Sequence, residues 1–280
     1  MRFVKYEATG NDFILVQAAE DARNWPPLAR ALCHRHFGVG ADGLLVLTST
    51  APPFKLLMFN PDGSLAEVCG NGLRCFAKHV VETGMTPSGE ITVETGAGPR
   101  HVLPYLQGNS VRQVRVNMAQ PLFKAEQIPI ASKVDIIPIL DYPLTVGRRK
   151  LLLGLVSMGN PHAVAFIQRP PAHFPLGQIG PQVEHHSLFP QRVNFEIARV
   201  LDRQHIEARV WERGAGETLA CGSGACAIAV VARLKGYVDD RVEVSLPGGT
   251  LTIDWPGRGD VHLSGEVRRV FNGDWEEGKT

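Results

Sequence analysis

CGNGLRCFAKHVV (residues 69–81) and CGSGACAIAVVARL (residues 221–234) decide how this chain is read. Each opens on Cys-Gly-x-Gly and continues with helical spacing. In the first, apolar residues at 73, 76, 77, 80 and 81 fit one helix face. The second, from about Ala225 to Leu234, is apolar nearly all round, so it has to be buried. Each carries a second cysteine, Cys75 or Cys226, and each is closed by a glycine, Gly84 or Gly236. The two openings lie 221 − 69 = 152 residues apart in a chain of 280, about half its length. That is an internal repeat.

Strand patterns surround both segments. Phe3–Tyr6 and Phe13–Val16 flank a Thr9–Asp12 turn, and Leu44–Leu47, Phe54–Phe59, Ile91–Glu94, His101–Leu106 and Val111–Val116 follow. Trp25–Phe37 reads as an amphipathic helix, with Pro26 and Pro27 at its start and Gly38 after it. The second half repeats the plan with Leu151–Val156, His162–Ile167, Val193–Val200, His205–Trp211, Val242–Leu246 and Thr250–Ile253. The Pro- and His-rich stretch Arg169–Pro190 reads as a variable surface region. The economical architecture is two similar α/β halves joined near residue 120, each wrapping a sheet around its one apolar helix.

Composition narrows the function. A chain of 280 residues with 44% hydrophobic residues suits two domains with real cores. The formal net charge is +1 and the longest basic run is Arg148-Arg149-Lys150, which argues against a nucleic-acid surface. The N-terminus has no secretory pattern, and no stretch approaches the roughly 18 apolar residues of a membrane helix. A cytoplasmic protein is expected. Five cysteines, an odd number, argue against a disulfide framework. Cys33, Cys75 and Cys226 fall on apolar helix faces and read as core residues.

Cys69 and Cys221 call for another explanation. A helix start leaves backbone N–H groups without intrahelical partners and carries partial positive charge. A thiolate is stabilised there. The glycines allow close approach of a ligand, and the N–H groups suit a carboxylate. Two such starts placed face to face would hold an amino-acid carboxylate with its α-carbon between two sulfurs. One thiolate would take the α-proton and one thiol would return a proton to the opposite face. Oriented dipoles and exclusion of water would stabilise the carbanion.

The chain resembles the diaminopimelate epimerase family along nearly its whole length. The resemblance rests on ATGNDFILV (8–16), FGVGADGLL (37–45), FNPDGSLAEVCGNGLRC (59–75), ETGAG (94–98), VSMGNPHAV (156–164), RVNFEIARV (192–200) and WERGAGETLACGSGACA (211–227). It implies an α+β fold of two pseudo-symmetric domains, each a mostly antiparallel sheet wrapped around a central apolar helix. The domains would be residues 1–120, with the C-terminal segment 266–280 returning to them, and residues 121–265. It implies interconversion of LL- and meso-diaminopimelate in lysine and peptidoglycan precursor synthesis, by a homodimer, with neither pyridoxal phosphate nor metal. It assigns Cys69 and Cys221 to acid–base catalysis, and Gly70, Asn71, Gly222 and Ser223 to the reacting carboxylate. Asn11, Asn60, Asn160, Asn194, Glu212 and Arg213 become the remaining substrate contacts. Arg213 suits a distal carboxylate, which it can grip with two hydrogen bonds. His162 would orient Glu212 or assist at the reacting amine. The chain departs from the pattern at Gly43, where some members carry glutamine, and at Leu65, where glutamate is expected.

Three alternatives stay open on the sequence. A proline or hydroxyproline racemase would use the same cysteine pair, but would have little use for Arg213 and three asparagines. A zinc site fits Cys221-x4-Cys226 but not Cys69-x5-Cys75. A Cys–His hydrolase would leave one of the paired cysteines unexplained.

Overall fold

The computed structural model describes residues 1–19, 23–66, 69–132 and 136–276. Residues 67 and 68 of the segment 59–75, and residues 277–280 of the expected returning tail, lie outside the described residues. The chain divides into two compact units, Met1–Asn117 with Ser264–Thr280, and Met118–Leu263.

In the first unit the elements run β1 (Arg2–Ala8), β2 (Asn11–Gln17), α1 (Trp25–Cys33), β3 (Gly43–Leu47), β4 (Phe54–Phe59), β5 (Leu65–Ala66), α2 (Gly70–Glu82), β6 (Ile91–Thr95), β7 (Gly98–Gln107) and β8 (Ser110–Asn117). Pairing is antiparallel for β1–β2, β3–β4, β4–β5, β6–β7 and β7–β8. It is parallel for β2–β3 and β4–β6. α2 packs against β1, β2, β3, β7 and β8, so the sheet curls around it. α1 stops at Cys33, four residues before the expected Phe37. His34 is extended, and the Leu32 and Cys33 carbonyls, which a continuing helix would offer to His36 and Phe37, accept instead from the Gly40 and Ala41 N–H groups.

α2 is buried from Gly70 to Val80, although its sequence gives it only one apolar face. Hydrogen bonds make this possible. Lys78 Nζ donates to Glu82 (2.6 Å), the Val111 carbonyl (2.7 Å) and Ser110 (3.2 Å). His79 Nδ1 lies 2.9 Å from the Tyr6 hydroxyl. Burial, helped by Arg269 and opposed by Glu82, pulls the His79 pKa down to about 4. An unfolded histidine titrates near 6.5, so between about pH 6.5 and 4 the unfolded chain binds the extra proton. Stability therefore falls as pH falls through that window. A His79→Gln variant is expected to lose about 2 kcal/mol less than the parent between pH 7 and 4.5 in denaturant unfolding. Equal losses in both proteins would contradict a neutral, buried His79.

The second unit contains β9 (Tyr142–Val146), β10 (Arg149–Ser157), β11 (Pro161–Phe166), α3 (Leu176–Glu184), β12 (Asn194–Val200), β13 (His205–Glu212), β14 (Gly216–Thr218), α4 (Gly222–Leu234), β15 (Arg241–Leu246) and β16 (Gly249–Asp254). β17 (His262–Glu266) then leads to β18 (Arg268–Asp274), which pairs antiparallel with β1. Within the second unit β9–β10, β10–β11, β12–β13, β13–β14 and β15–β16 are antiparallel, while β11–β12 and β13–β15 are parallel. From β10 to β16 this repeats the order of pairings from β1 to β7. α4 packs against β10, β11, β12, β15 and β16.

Arg169–Pro190 is not a variable surface region. It forms α3, and Leu176, Ile179, Val183, Leu188 and Phe189 join the core with Leu153, Phe195 and Ile197. Apolar residues at 176, 179 and 183 are helically spaced. The prolines hide the pattern, because Pro181 stands inside the helix.

Candidate active site

Cys69 is the N-cap of α2 and Cys221 the N-cap of α4. Both are extended, and neither side chain caps its helix. The first intrahelical bonds run from Leu73 N to Cys69 O and from Ala225 N to Cys221 O, each 2.9 Å. The N–H groups of the three residues between therefore lack an intrahelical acceptor. Gly72 and Gly224 let these starts pack closely. A Cβ at Gly72 would lie 3.1 Å from Leu45 Cδ2, and one at Gly224 3.1 Å from Glu196 Oε1.

In the first unit Cys69 is half-buried, its Sγ 4.0 Å from Asn11 Oδ1. Asn11 is held on both sides. Its Nδ2 donates to Asp42 (2.7 Å) and its Oδ1 accepts from Asn71 Nδ2 (3.2 Å). Asn71 Oδ1 accepts from Arg74 at 2.6 Å. Arg74 is fully buried, donates to Thr9 Oγ1 (3.0 Å) and the Glu266 carbonyl (2.8 Å), and its Nε has no hydrogen-bond partner among the described residues. Burial pulls its pKa down to about 10, against the pull of the Cys75 and Cys69 thiols and Glu7. It remains a cation at neutral pH, within Coulombic reach of Cys69. Asp42 is braced by Arg35 (2.5 Å), which also grips Asp12 (2.8 Å). Asn60 is exposed and donates to Ser64 Oγ at 2.9 Å within its own turn.

In the second unit Cys221 is buried, with Sγ 3.4 Å from Ser223 Oγ. Burial first, then Glu212, push its thiol well above the usual range, while Ser223 and the Gly224 N–H pull the other way. Cys221 rests as a thiol. Glu212 Oε1 accepts from Thr218 at 2.6 Å. His162 does not pair with Glu212. Its Nδ1 lies 2.7 Å from Glu196 Oε1 and its Nε2 2.9 Å from Asn160 Oδ1. Asn194 is buried and braces backbone, donating to the Pro161 carbonyl and accepting from the Arg213 N–H, each at 2.9 Å. The Arg213 side chain is exposed, with one bond to the Gln191 carbonyl (3.2 Å). The turn carrying it is clamped from α3, where Glu184 accepts from Gly214 N (2.9 Å) and Trp211 Nε1 (2.7 Å).

Part of each candidate set gathers at a helix start, while Asn60 and Arg213 stay exposed and Asn160 and Asn194 bond to His162 and to backbone. Asn11 and Asn71 meet at Cys69, and Glu212 and Ser223 at Cys221. Comparison with known proteins gives this arrangement its family. The family model described as diaminopimelate epimerase matches residues 3–123 and 154–270. The chain belongs to the diaminopimelate epimerase family. A diaminopimelate epimerase from Moorella thermoacetica is 47% identical over 279 residues, covering 98% of this chain and 99% of the relative. That of Acetivibrio thermocellus is 43% identical over 277 residues, 98% of each. Solved structures share the fold at much lower identity. A probable proline racemase from Agrobacterium radiobacter K84 has a TM-score of 0.71 at 14% identity, over 98% of this chain and 92% of that one. A PhzF-family phenazine biosynthesis protein from Bacillus anthracis has 0.69 at 16%, over 98% of both.

Arg74, Asp42, Glu184 and Glu196 escaped the sequence reading. Glu196 did leave a signal, a lone carboxylate inside the apolar run Val193–Val200. By strand alternation it shares a face with Asn194.

Proposed function

We propose that the chain interconverts LL- and meso-diaminopimelate by proton transfer at the α-carbon, with Cys69 and Cys221 as the acid–base pair. Membership of the diaminopimelate epimerase family makes it an isomerase. The observation that carries the mechanism is the pair of Cys-Gly-x-Gly helix starts, one in each unit, with cysteine as N-cap in both. Inversion needs a base on one face of the carbon and an acid on the other, and two thiols are the smallest set that can exchange these roles. The charged groups around them differ. Cys221 lies near the carboxylates of Glu212 and Glu196, whereas Arg74 places a cation near Cys69.

The helix-start N–H groups of Gly70, Asn71, Gly222 and Ser223 receive the reacting carboxylate. Asn11, Asn60, Asn160, Asn194, Glu212 and Arg213 are the remaining contacts, Arg213 for the distal carboxylate and Glu212 for an ammonium. The reaction uses no organic cofactor and serves lysine and peptidoglycan precursor synthesis. The enzyme works as a cytoplasmic homodimer. The racemase reading is not favoured, since the solved proline racemase neighbour is only 14% identical. To test this, the reduced protein is incubated with LL-diaminopimelate, L-proline or trans-4-hydroxy-L-proline, without added cofactor, and the stereoisomers are separated. Conversion of LL- to meso-diaminopimelate alone is expected. Conversion of proline with diaminopimelate untouched would overturn the assignment.

A further inference from the structure

On the parallel pair β11–β12, His162 stands opposite Asn194, and Glu196 lies two residues further along β12. His162 and Glu196 are both fully buried. The imidazole is held at both ends, by Glu196 Oε1 at 2.7 Å on Nδ1 and by Asn160 Oδ1 at 2.9 Å on Nε2. Two such contacts require two protons, one per nitrogen–oxygen pair. If the ring is an imidazolium, both nitrogens carry them. If Glu196 is protonated, its O–H donates to Nδ1 and the ring keeps a proton on Nε2. In either case Nε2 carries a proton and donates to Asn160 Oδ1. The second carboxyl oxygen, Glu196 Oε2, is buried with no hydrogen-bond partner among the described residues, which costs less for a neutral acid than for a carboxylate.

The consequence falls on Asn160. With its oxygen committed to His162, the amide can turn only its NH2 to a ligand. Asn160 is half-buried, and its Nδ2 has no acceptor among the described residues. We propose that Glu196 is a positioning residue which, through His162, fixes Asn160 as a hydrogen-bond donor to a substrate carboxylate. Without Glu196 the ring is free to become the Nδ1–H tautomer. Nε2 would then accept from the amide, and Asn160 would present its oxygen to the carboxylate instead. The inference rests on the proposed reading of Asn160 as a substrate contact, but the tautomer itself does not.

The test uses the full chain, with Glu196→Gln, Glu196→Leu, Asn160→Ala and the Glu196→Leu/Asn160→Ala double variant. Glutamine can still donate to Nδ1, so Glu196→Gln is expected to keep the Nε2–H tautomer in 15N-histidine NMR and to stay within about threefold of the parent in kcat/KM. Glu196→Leu is expected to show mixed tautomers and a KM for LL-diaminopimelate raised about tenfold or more, with kcat less affected. The double variant should be no worse than Asn160→Ala, because both changes remove the same contact. Additive losses, or an unprotonated Nε2 in the parent protein, would overturn the proposal. Should Glu196→Leu fail to fold, the tautomer in the parent and in Glu196→Gln still decides. If the parent does not act on diaminopimelate at all, the functional reading fails, and the NMR result separately keeps or removes Glu196 as the group that orients His162.

Discussion

Alanine at either Cys69 or Cys221 is expected to lower kcat/KM for LL-diaminopimelate by at least about 10²–10⁴, the usual worth of one acid–base group. Both variants should remain folded, because neither thiol caps its helix and the first intrahelical bonds use the cysteine carbonyls, which alanine keeps. The second cysteines provide the contrast. Cys75 and Cys226 are fully buried, and burial pushes both thiols far above the usual range. Alanine at either should cost roughly 1 kcal/mol of stability and leave turnover near the parent value. Loss of activity at only one of the two N-cap cysteines would contradict the two-thiol account and return attention to a single nucleophile.

Gly154→Ala should destabilise the second unit by about 1–3 kcal/mol, through overpacking alone. Gly154 lies on β10 beneath α4, where an added Cβ would fall 2.2 Å from Val231 Cγ1 and 3.1 Å from Cγ2. Valine is stiff at χ1, so rotation cannot clear the clash and either the strand or the helix has to move. Since Cys221 begins that same helix, the shift should also depress turnover. Val231→Ala creates a cavity by itself, yet combined with Gly154→Ala it should recover part of the lost stability. Denaturant midpoints of the two single variants and the double variant measure this. Strictly additive losses would mean that the helix does not rest on Gly154.

The internal repeat was legible because its signals are local. Cysteine, two glycines and an apolar run were enough to place both helix starts, and alternation located most strands to within a residue or two. What the sequence hid depends on distant partners. α2 reads as one-faced, because only the fold supplies Thr9 and the Glu266 carbonyl to Arg74, and Val111 and Ser110 to Lys78. α3 lies in a stretch that reads as a variable surface region, because proline masks its spacing. β9, β14 and the strands after Asp260 went unread, since each is short or lacks clean alternation. Asn194 and Asn71 could be named as candidates from their segments. That Asn194 braces backbone, and that Asn71 ties Asn11 to Arg74, depends on contacts no spacing encodes.

The most direct measurement is solvent hydrogen exchange. The reduced protein is incubated with LL-diaminopimelate in D₂O without added cofactor, and α-deuterium and the meso product are followed by NMR. In the parent protein deuterium is expected at the inverted α-carbon together with meso product, and in Cys69→Ala and Cys221→Ala epimerisation is expected to slow by at least about 10²–10⁴. Inversion without deuterium incorporation, or full epimerisation in either variant, would contradict proton transfer by the two helix-start cysteines.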